Sequence, residues 1–396
     1  MGLVFVLAMT LVGVAWGHKD FRGPPAAVAV EPNNVEPVDN GLADTDLVLS
    51  FVMFRHGDRT PDEEELDKLQ SQNLGSNIFF PFGKKALTNE GKRRGYYVGE
   101  FIRRRYDGFL SQLYLPDEIN VRTTDYARTK MTALTALAAL YPPLPAQRWN
   151  PTLDWQPVPY STLPPRDDDL LYWYYCPLYL KLRNEAYDYP EVKKWLRPYE
   201  TLFKYLSAKT AANITTAEDV FFLDNLFQTL ENVNVNLPEW AENVMEKIKE
   251  VTVIEFAIEF YNDQLIRLAS GVLLADILNA TDAAVAGNLE WQPKVRLYSA
   301  HENNVAGFLA AARVFTPHQP KYGSTAALEL RRHTVTGQYG VTMVYSPEAG
   351  GPGLILSVAG CGGKPFCDYE TFVKLTQDVV LTRKDFNRAC EIPTVT

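Results

Sequence analysis

The sequence predicts an α/β fold: a mixed, mostly parallel central sheet flanked by helices, with an all-helical insert. Three observations carry this expectation. An apolar run ending in a polar turn and a helix-like stretch occurs three times, near residues 46, 119 and 295. Between the second and third, residues from about 165 to 278 are rich in Leu, Tyr, Trp, Glu and Lys at helical spacing, with little strand character. Three strand-like runs joined by Gly- and Pro-bearing turns then follow, as a closing sheet requires.

The first 17 residues, MGLVFVLAMTLVGVAWG, are apolar and end in small residues. They are too short for a membrane span and read as a secretory signal peptide. Residues 18–45 lack periodicity and read as an irregular leader. Asp46–Phe54 is an almost continuous apolar run with the β-branched Val48 and Val52 in it, the pattern of a strand buried on both faces of a sheet. Thr88 offers an N-cap to a helix in which Val98, Phe101 and Ile102 have helical spacing. The basic runs Lys92–Arg94 and Arg103–Arg105 are assigned to its solvated face.

Ile119–Asp125 reads as a second strand ending in a polar turn. Met131, Leu134, Leu137 and Tyr141 mark a helix that Pro142-Pro143 stops. Val295–Ser299 is the third strand, with a helix from about Asn304 to Phe315. ALELRRH, YGVTMVY and GLILSVAG complete the sheet. The core is therefore assigned to 46–160 and 279–396, and the helical insert to 161–278.

Composition excludes several function classes. The formal net charge is −9, against the basic face that nucleic acid or an anionic membrane attracts. No second apolar stretch is read as long enough to span a membrane, so a soluble exported protein is expected. The chain has four cysteines, an even number that suggests two disulfides in an exported protein, with three pairings open. No Cys/His pair has zinc-ligand spacing, and neither a metal nor a cofactor is expected. Asn213 and Asn279 lie in glycosylation sequons, whereas Asn150 is excluded by the proline that follows it.

Residues 54–61, FRHGDRTP, place two arginines and a histidine directly behind the first strand. In open α/β sheets ligands bind beyond the carboxyl ends of the strands. Three such ends carry Arg55, His56 and Arg59; Arg122; and His301 with Glu302. Guanidinium forks match phosphate oxygens, a histidine can attack phosphorus, and a carboxylic acid can protonate the leaving oxygen. No step of that chemistry needs a metal.

RHGDRTP resembles the RHGxRxP signature of the histidine acid phosphatases. ALTNEGKRRGYYVGEFIRRRY is similar to the LTxxG helix of that family, and VRTTDYARTKMTALTALAALYPP to its IRSTDxxRTxxSA segment. DWQPVPYSTLPPRDDDLLYWYYCP and LPEW resemble prostatic- and lysosomal-type members and insect venom phosphatases. The resemblance runs from about Leu47 to Cys390 and implies the histidine phosphatase fold. It implies His56 as the nucleophile, Arg55, Arg59, Arg122 and His301 as phosphate ligands, and an acid at 302. The usual acid is Asp; Glu302 sets its carboxyl one methylene further out. The resemblance also implies the pairings Cys176–Cys390 and Cys361–Cys367, and it makes a homodimer an option.

The expected function is a secreted acid phosphatase acting on phosphate monoesters, with export to a lysosome the other location. The alternative is a secreted phosphate-ester-binding protein with little turnover. Other residues have simpler readings. Arg122 alone would be a strand-end cation paired with Asp125 or Asp58. Asp58 is expected to orient an arginine, and Arg128 to be an ion-paired helix residue. His318 and His333 read as surface or strand-end groups, and Trp173, Tyr174 and Trp240 as core packing. Burial beside other acids is expected to keep Glu302 protonated.

Overall fold

The computed structural model describes residues 42–391, apart from 73, 75 and 291. The expected signal peptide and nearly all of the leader lie outside the described residues. One eight-stranded sheet organises the rest. Its strands are β1 (Thr45–Arg55), β2 (Ile119–Thr123), β3 (Ser161–Thr162), β4 (Val295–Ala300), β5 (Thr325–His333), β6 (Tyr339–Ser346), β7 (Leu354–Leu356) and β8 (Cys367–Asp368). They lie in the order β3-β2-β4-β1-β5-β6-β7, with β8 also on β6. The β3, β2, β4 and β1 neighbours are parallel; β5, β6 and β7 continue antiparallel from β1.

This arrangement explains the continuous apolar run of β1. Val52 and Phe54 point into one apolar cluster and Phe51 and Met53 into another, on opposite faces of the sheet. The first face is covered by α2 (Asn89–Arg105) and α3 (Ala127–Leu140), which follow the short α1 (Glu63–Leu66). The insert supplies α4 (Pro177–Ala186), α5 (Pro190–Leu196), α6 (Glu200–Thr210), α7 (Ala217–Glu231), α8 (Glu239–Glu242), α9 (Met245–Glu259) and α10 (Asp263–Val285). Residues of α5, α6, α7 and α9 bury a third apolar cluster. The second face of the sheet takes α10, α11 (Glu302–Ala311) and α12 (Tyr369–Thr376), and α13 (Arg383–Ala389) closes the described chain.

Several expectations are corrected. The helix expected from Asn304 begins at Glu302, because His301 is its N-cap in extended conformation. The helical stretch does not stop at 278: α10 runs on to Val285, and β3 places residues 161–162 in the sheet. At 23 residues α10 is also long and apolar enough to cross a membrane, contrary to the sequence reading. Fourteen of its residues are buried against the sheet layer, which accounts for that composition. The face of α2 is not wholly solvated either: Arg94 and Arg105 turn to the buried carboxylates of Asp58 and Glu329, both at 2.5 Å.

The disulfides are Cys176–Cys390 and Cys361–Cys367. Asn213 and Asn279 are both exposed. Trp173 is buried and Trp240 packs on the insert cluster, as core residues should.

Candidate active site

The carboxyl ends of β1, β2 and β4 lie side by side, with Arg55 opposite Ala300 and Thr123 opposite Ser299. Because β5 is antiparallel to β1, its first residue Thr325 faces Phe54, so the loop before β5 arrives at the same end. Strand order thus brings residues 55–59, 124–128, 301–302 and 320–324 together.

Two glycines shape the loop behind β1. A Cβ on Gly57 would lie 2.1 Å from the carbonyl oxygen of Gly91, and one on Gly91 would lie 2.2 Å from that of Asp58. Only bare backbone fits at this crossing. Thr88 fixes it, accepting from Gly91 N–H at 3.1 Å and donating to the Asp58 carbonyl at 3.2 Å. Asp58 does orient an arginine, Arg94 on α2.

His56 is fully buried. Its Nδ1 lies 2.8 Å from the Gly57 carbonyl, which can only accept. The proton therefore sits on Nδ1 and Nε2 keeps its lone pair. That Nε2 has no hydrogen-bond partner among the described residues. Burial first, then the charges of Arg128, His301, Arg55 and Arg59, push the imidazole pKa well below its usual value. The result is a neutral ring with one free nitrogen.

Arginines surround it. Arg55 donates through Nη1 to the Pro320 carbonyl at 2.7 Å, and its guanidinium lies 3.9 Å from the centre of the Tyr322 ring. Its Nη2 is buried and has no hydrogen-bond partner among the described residues. Arg59 is held by Glu65 through both Nη atoms, at 2.7 and 2.5 Å, leaving Nε unpartnered. Arg128 makes long contacts of 3.4 and 3.3 Å to Asp62 and leaves its Nε unpartnered.

His301 caps α11, its backbone N–H donating to Asn304 Oδ1 at 3.2 Å. Its ring lies edge-on to that of His56, centres 5.4 Å apart. Nε2 is 3.0 Å from Thr124 Oγ1. Thr124 donates to Thr129 Oγ1, which itself donates to backbone carbonyls. Thr124 must then accept the Nε2 proton of His301. Burial and then Arg128 hold His301 well below its usual pKa.

Glu302 points at the same space. Its Oε2 is 3.0 Å from Arg55 Nε and its Oε1 is 3.3 Å from Asn225 Nδ2 of α7. One ligating atom each from His56, His301 and Glu302 fall within 4.8 Å of one another. Burial raises the carboxyl pKa, but Arg55 and then Arg59 outweigh it and hold it at about 2. The expectation of neighbouring acids is thus corrected: the neighbours are arginines, and Glu302 is ionised in the free protein. Two imidazoles and a carboxylate could ligate a divalent cation. Three guanidiniums beside them oppose that and favour an anion instead.

Arg122 is not gathered with the others. Residues alternate across β2, and Arg122 turns to the face opposite Val121, where Nη2 pairs with Asp168 at 2.5 Å. Its partner is neither Asp125 nor Asp58. The third arginine of the cluster is Arg128, which the sequence reading set aside. A signal for it existed: a cation in the first turn of α3 opposes the helix dipole unless an anion belongs nearby. Asn225 and Tyr322 were also missed. Tyr322 is buried, and its hydroxyl has no hydrogen-bond partner among the described residues.

Residues 48–346 match the family model of the histidine phosphatase superfamily (branch 2). The chain is 31% identical to venom acid phosphatase Acph-1 of Apis mellifera, covering 84% of this chain and 85% of that protein. It is 34% identical to prostatic acid phosphatase of Bos taurus, covering 90% of each. With human lysosomal acid phosphatase it shares 32%, covering 87% of this chain and 80% of the relative. Among solved structures, Hafnia alvei phytase with myo-inositol hexakis sulphate aligns with a TM-score of 0.63 at 16% identity. That alignment covers 89% of this chain and 100% of the phytase and shows the shared fold. The match spans most of β1 and all of β2 to β6, the helical insert and every residue of the site, and so the chain belongs to branch 2 of the histidine phosphatase superfamily.

Proposed function

We propose that the protein hydrolyses phosphate monoesters through a phosphohistidine on His56. One observation carries the reading: a buried neutral imidazole presents an unpartnered Nε2 to a space where Arg55, Arg59 and Arg128 hold unpartnered N–H groups. Buried donors without partners are costly, and a phosphoryl group with three shared oxygens satisfies them together. Arg128 takes the ligand role that the resemblance gave Arg122. His301 completes the set once its Nε2–H turns from the Thr124 hydroxyl to a phosphate oxygen.

In the first step His56 Nε2 forms a bond to phosphorus as the ester P–O bond breaks. The proton of Glu302 passes to the departing alkoxide. In the second, Glu302 takes a proton from water as that water attacks the phosphohistidine. Inorganic phosphate leaves and His56 is regenerated. The kinship with acid phosphatases supports this reading over the binding-protein alternative. It also supports an exported or lysosomal location. Signal cleavage at 1–17, glycosylation of Asn213 and Asn279, and a homodimer remain proposals that rest on sequence and resemblance.

The test is hydrolysis of an aryl phosphate in the presence of chelator, with His56→Ala alongside. Acid quenching during turnover should trap labelled phosphate on the wild type and none on the variant. Turnover that persists without His56 would overturn the mechanism.

A further inference from the structure

We propose that Asn225, on the helical insert, is a positioning residue that assigns the acid proton of Glu302 to the oxygen facing the phosphate; this rests on the reading of Glu302 as general acid. Asn225 is 2% exposed. Its Nδ2 donates to Glu302 Oε1 at 3.3 Å. An amide nitrogen can only donate, so Oε1 has to accept whether Glu302 is charged or neutral. When a bound phosphate draws the Arg55 guanidinium off Oε2, Oε1 still keeps the Asn225 donor, so the proton that the carboxyl takes up is directed to Oε2. That oxygen lies 3.0 Å from Arg55 Nε, on the side of the phosphate cluster.

The amide cannot turn over freely, because its other end is held. Asn225 Oδ1 accepts from Gln319 Nε2 at 2.8 Å, and Gln319 Oε1 accepts from Gln228 Nε2 at 2.9 Å. Gln228 lies on the same helix as Asn225, one turn on. The next residue after Gln319 is Pro320, whose carbonyl takes Arg55 Nη1 at 2.7 Å. One loop thus fixes both partners of the carboxyl. The arrangement also answers the extra methylene of Glu302. A longer acid has more rotamers, and a donor on its far oxygen selects one of them.

General-acid assistance matters most for a poor leaving group, and that separates positioning from folding. We would measure kcat/KM for 4-nitrophenyl phosphate and for a simple alkyl phosphate on the wild type, Asn225→Leu and Glu302→Gln. We would add Glu302→Asp and the double variant Glu302→Asp/Asn225→Gln, which moves one methylene across the pair. Asn225→Leu should lose at least about tenfold on the alkyl ester and much less on the nitrophenyl ester, as a share of the 10²–10⁴ that general acids contribute. Inhibition by inorganic phosphate should stay near the wild-type value. The double variant should recover alkyl-ester activity lost in Glu302→Asp. Equal losses on both esters, or no recovery, would overturn the role of Asn225 while Glu302→Gln still discriminates between them. If Glu302→Gln does not discriminate, the general-acid reading falls and this proposal with it.

Discussion

Arg55 Nε lies 3.0 Å from Glu302 Oε2, with the two side chains 1% and 8% exposed. This pair decides where the proton for catalysis comes from. With its pKa held at about 2, Glu302 carries no proton at mildly acidic pH in the free protein. A bound phosphate dianion competes for Arg55 and Arg59, removes what holds the carboxyl ionised, and lets it take up a proton. A phosphate monoester has its second pKa at about 6, so the monoanion can bring that proton in.

The alkaline limb of kcat/KM should therefore follow the substrate. Esters with different second pKa values should shift it by matching amounts, since kcat/KM reports free enzyme and free substrate. The acid limb should lie below 6.5. Both imidazoles are pushed below their usual pKa, so the His56 lone pair survives as pH falls through the normal histidine range. A limb that stays fixed across substrates would place the alkaline group on the enzyme instead.

Arg128 and Arg122 should behave oppositely. Arg128→Ala removes a guanidinium from the phosphate cluster, and a loss of about 10²–10³ in kcat/KM is expected, as for other donors to developing charge. Arg122→Ala leaves Asp168 buried without its cation, which costs about 3–5 kcal/mol where the pair is fully enclosed and less here at the half-open end. It should lower the melting temperature while the folded enzyme keeps most of its kcat. Urea titration and kinetics on both variants check this.

The crossing of Gly57 and Gly91 makes a third prediction. Gly91→Ala puts a methyl group 2.2 Å from the Asp58 carbonyl, so the loop bearing His56 and Arg59 must shift. Overpacking of this kind costs about 1–3 kcal/mol, and activity should fall more than stability does. Thr88→Ala removes the cap of the same helix and one hold on the crossing, and should cost about 1 kcal/mol; kcat should fall less than in Gly91→Ala, because the Thr88 backbone N–H still donates to the Asp58 carbonyl at 2.9 Å. Paired unfolding and kinetic measurements separate the two.

What the sequence made legible was local. β1 declared itself because both its faces are buried, and Arg55, His56 and Arg59 stand in one short motif. The strand order was not legible, since β2, β4 and β1 pair across long intervening chain. Arg122 and Arg128 lie in one segment, and only the alternation of β2 and the start of α3 tell which faces the site. Asn225 is 77 residues from Glu302, and its trace was merely a polar pair, Asp224-Asn225, inside the otherwise apolar run from Val220 to Phe227. Glu302 itself was found, but its ionisation depended on partners that folding alone supplies.

The two disulfides should differ in worth for a reason independent of the site. Cys176–Cys390 joins residues 214 apart, whereas Cys361 and Cys367 are 6 apart. Restricting the unfolded chain by loops of those sizes stabilises by about 5 and about 2 kcal/mol in the chain-entropy model. The long bridge ties the residue before α4 to the last described helix, α13, next to the apolar cluster on the α10 face. Replacing Cys176 and Cys390 together by serine should therefore lower the denaturant midpoint far more than the same change at Cys361 and Cys367. Equal shifts in the two double variants would mean that local packing, not chain restriction, sets the contribution of each bridge.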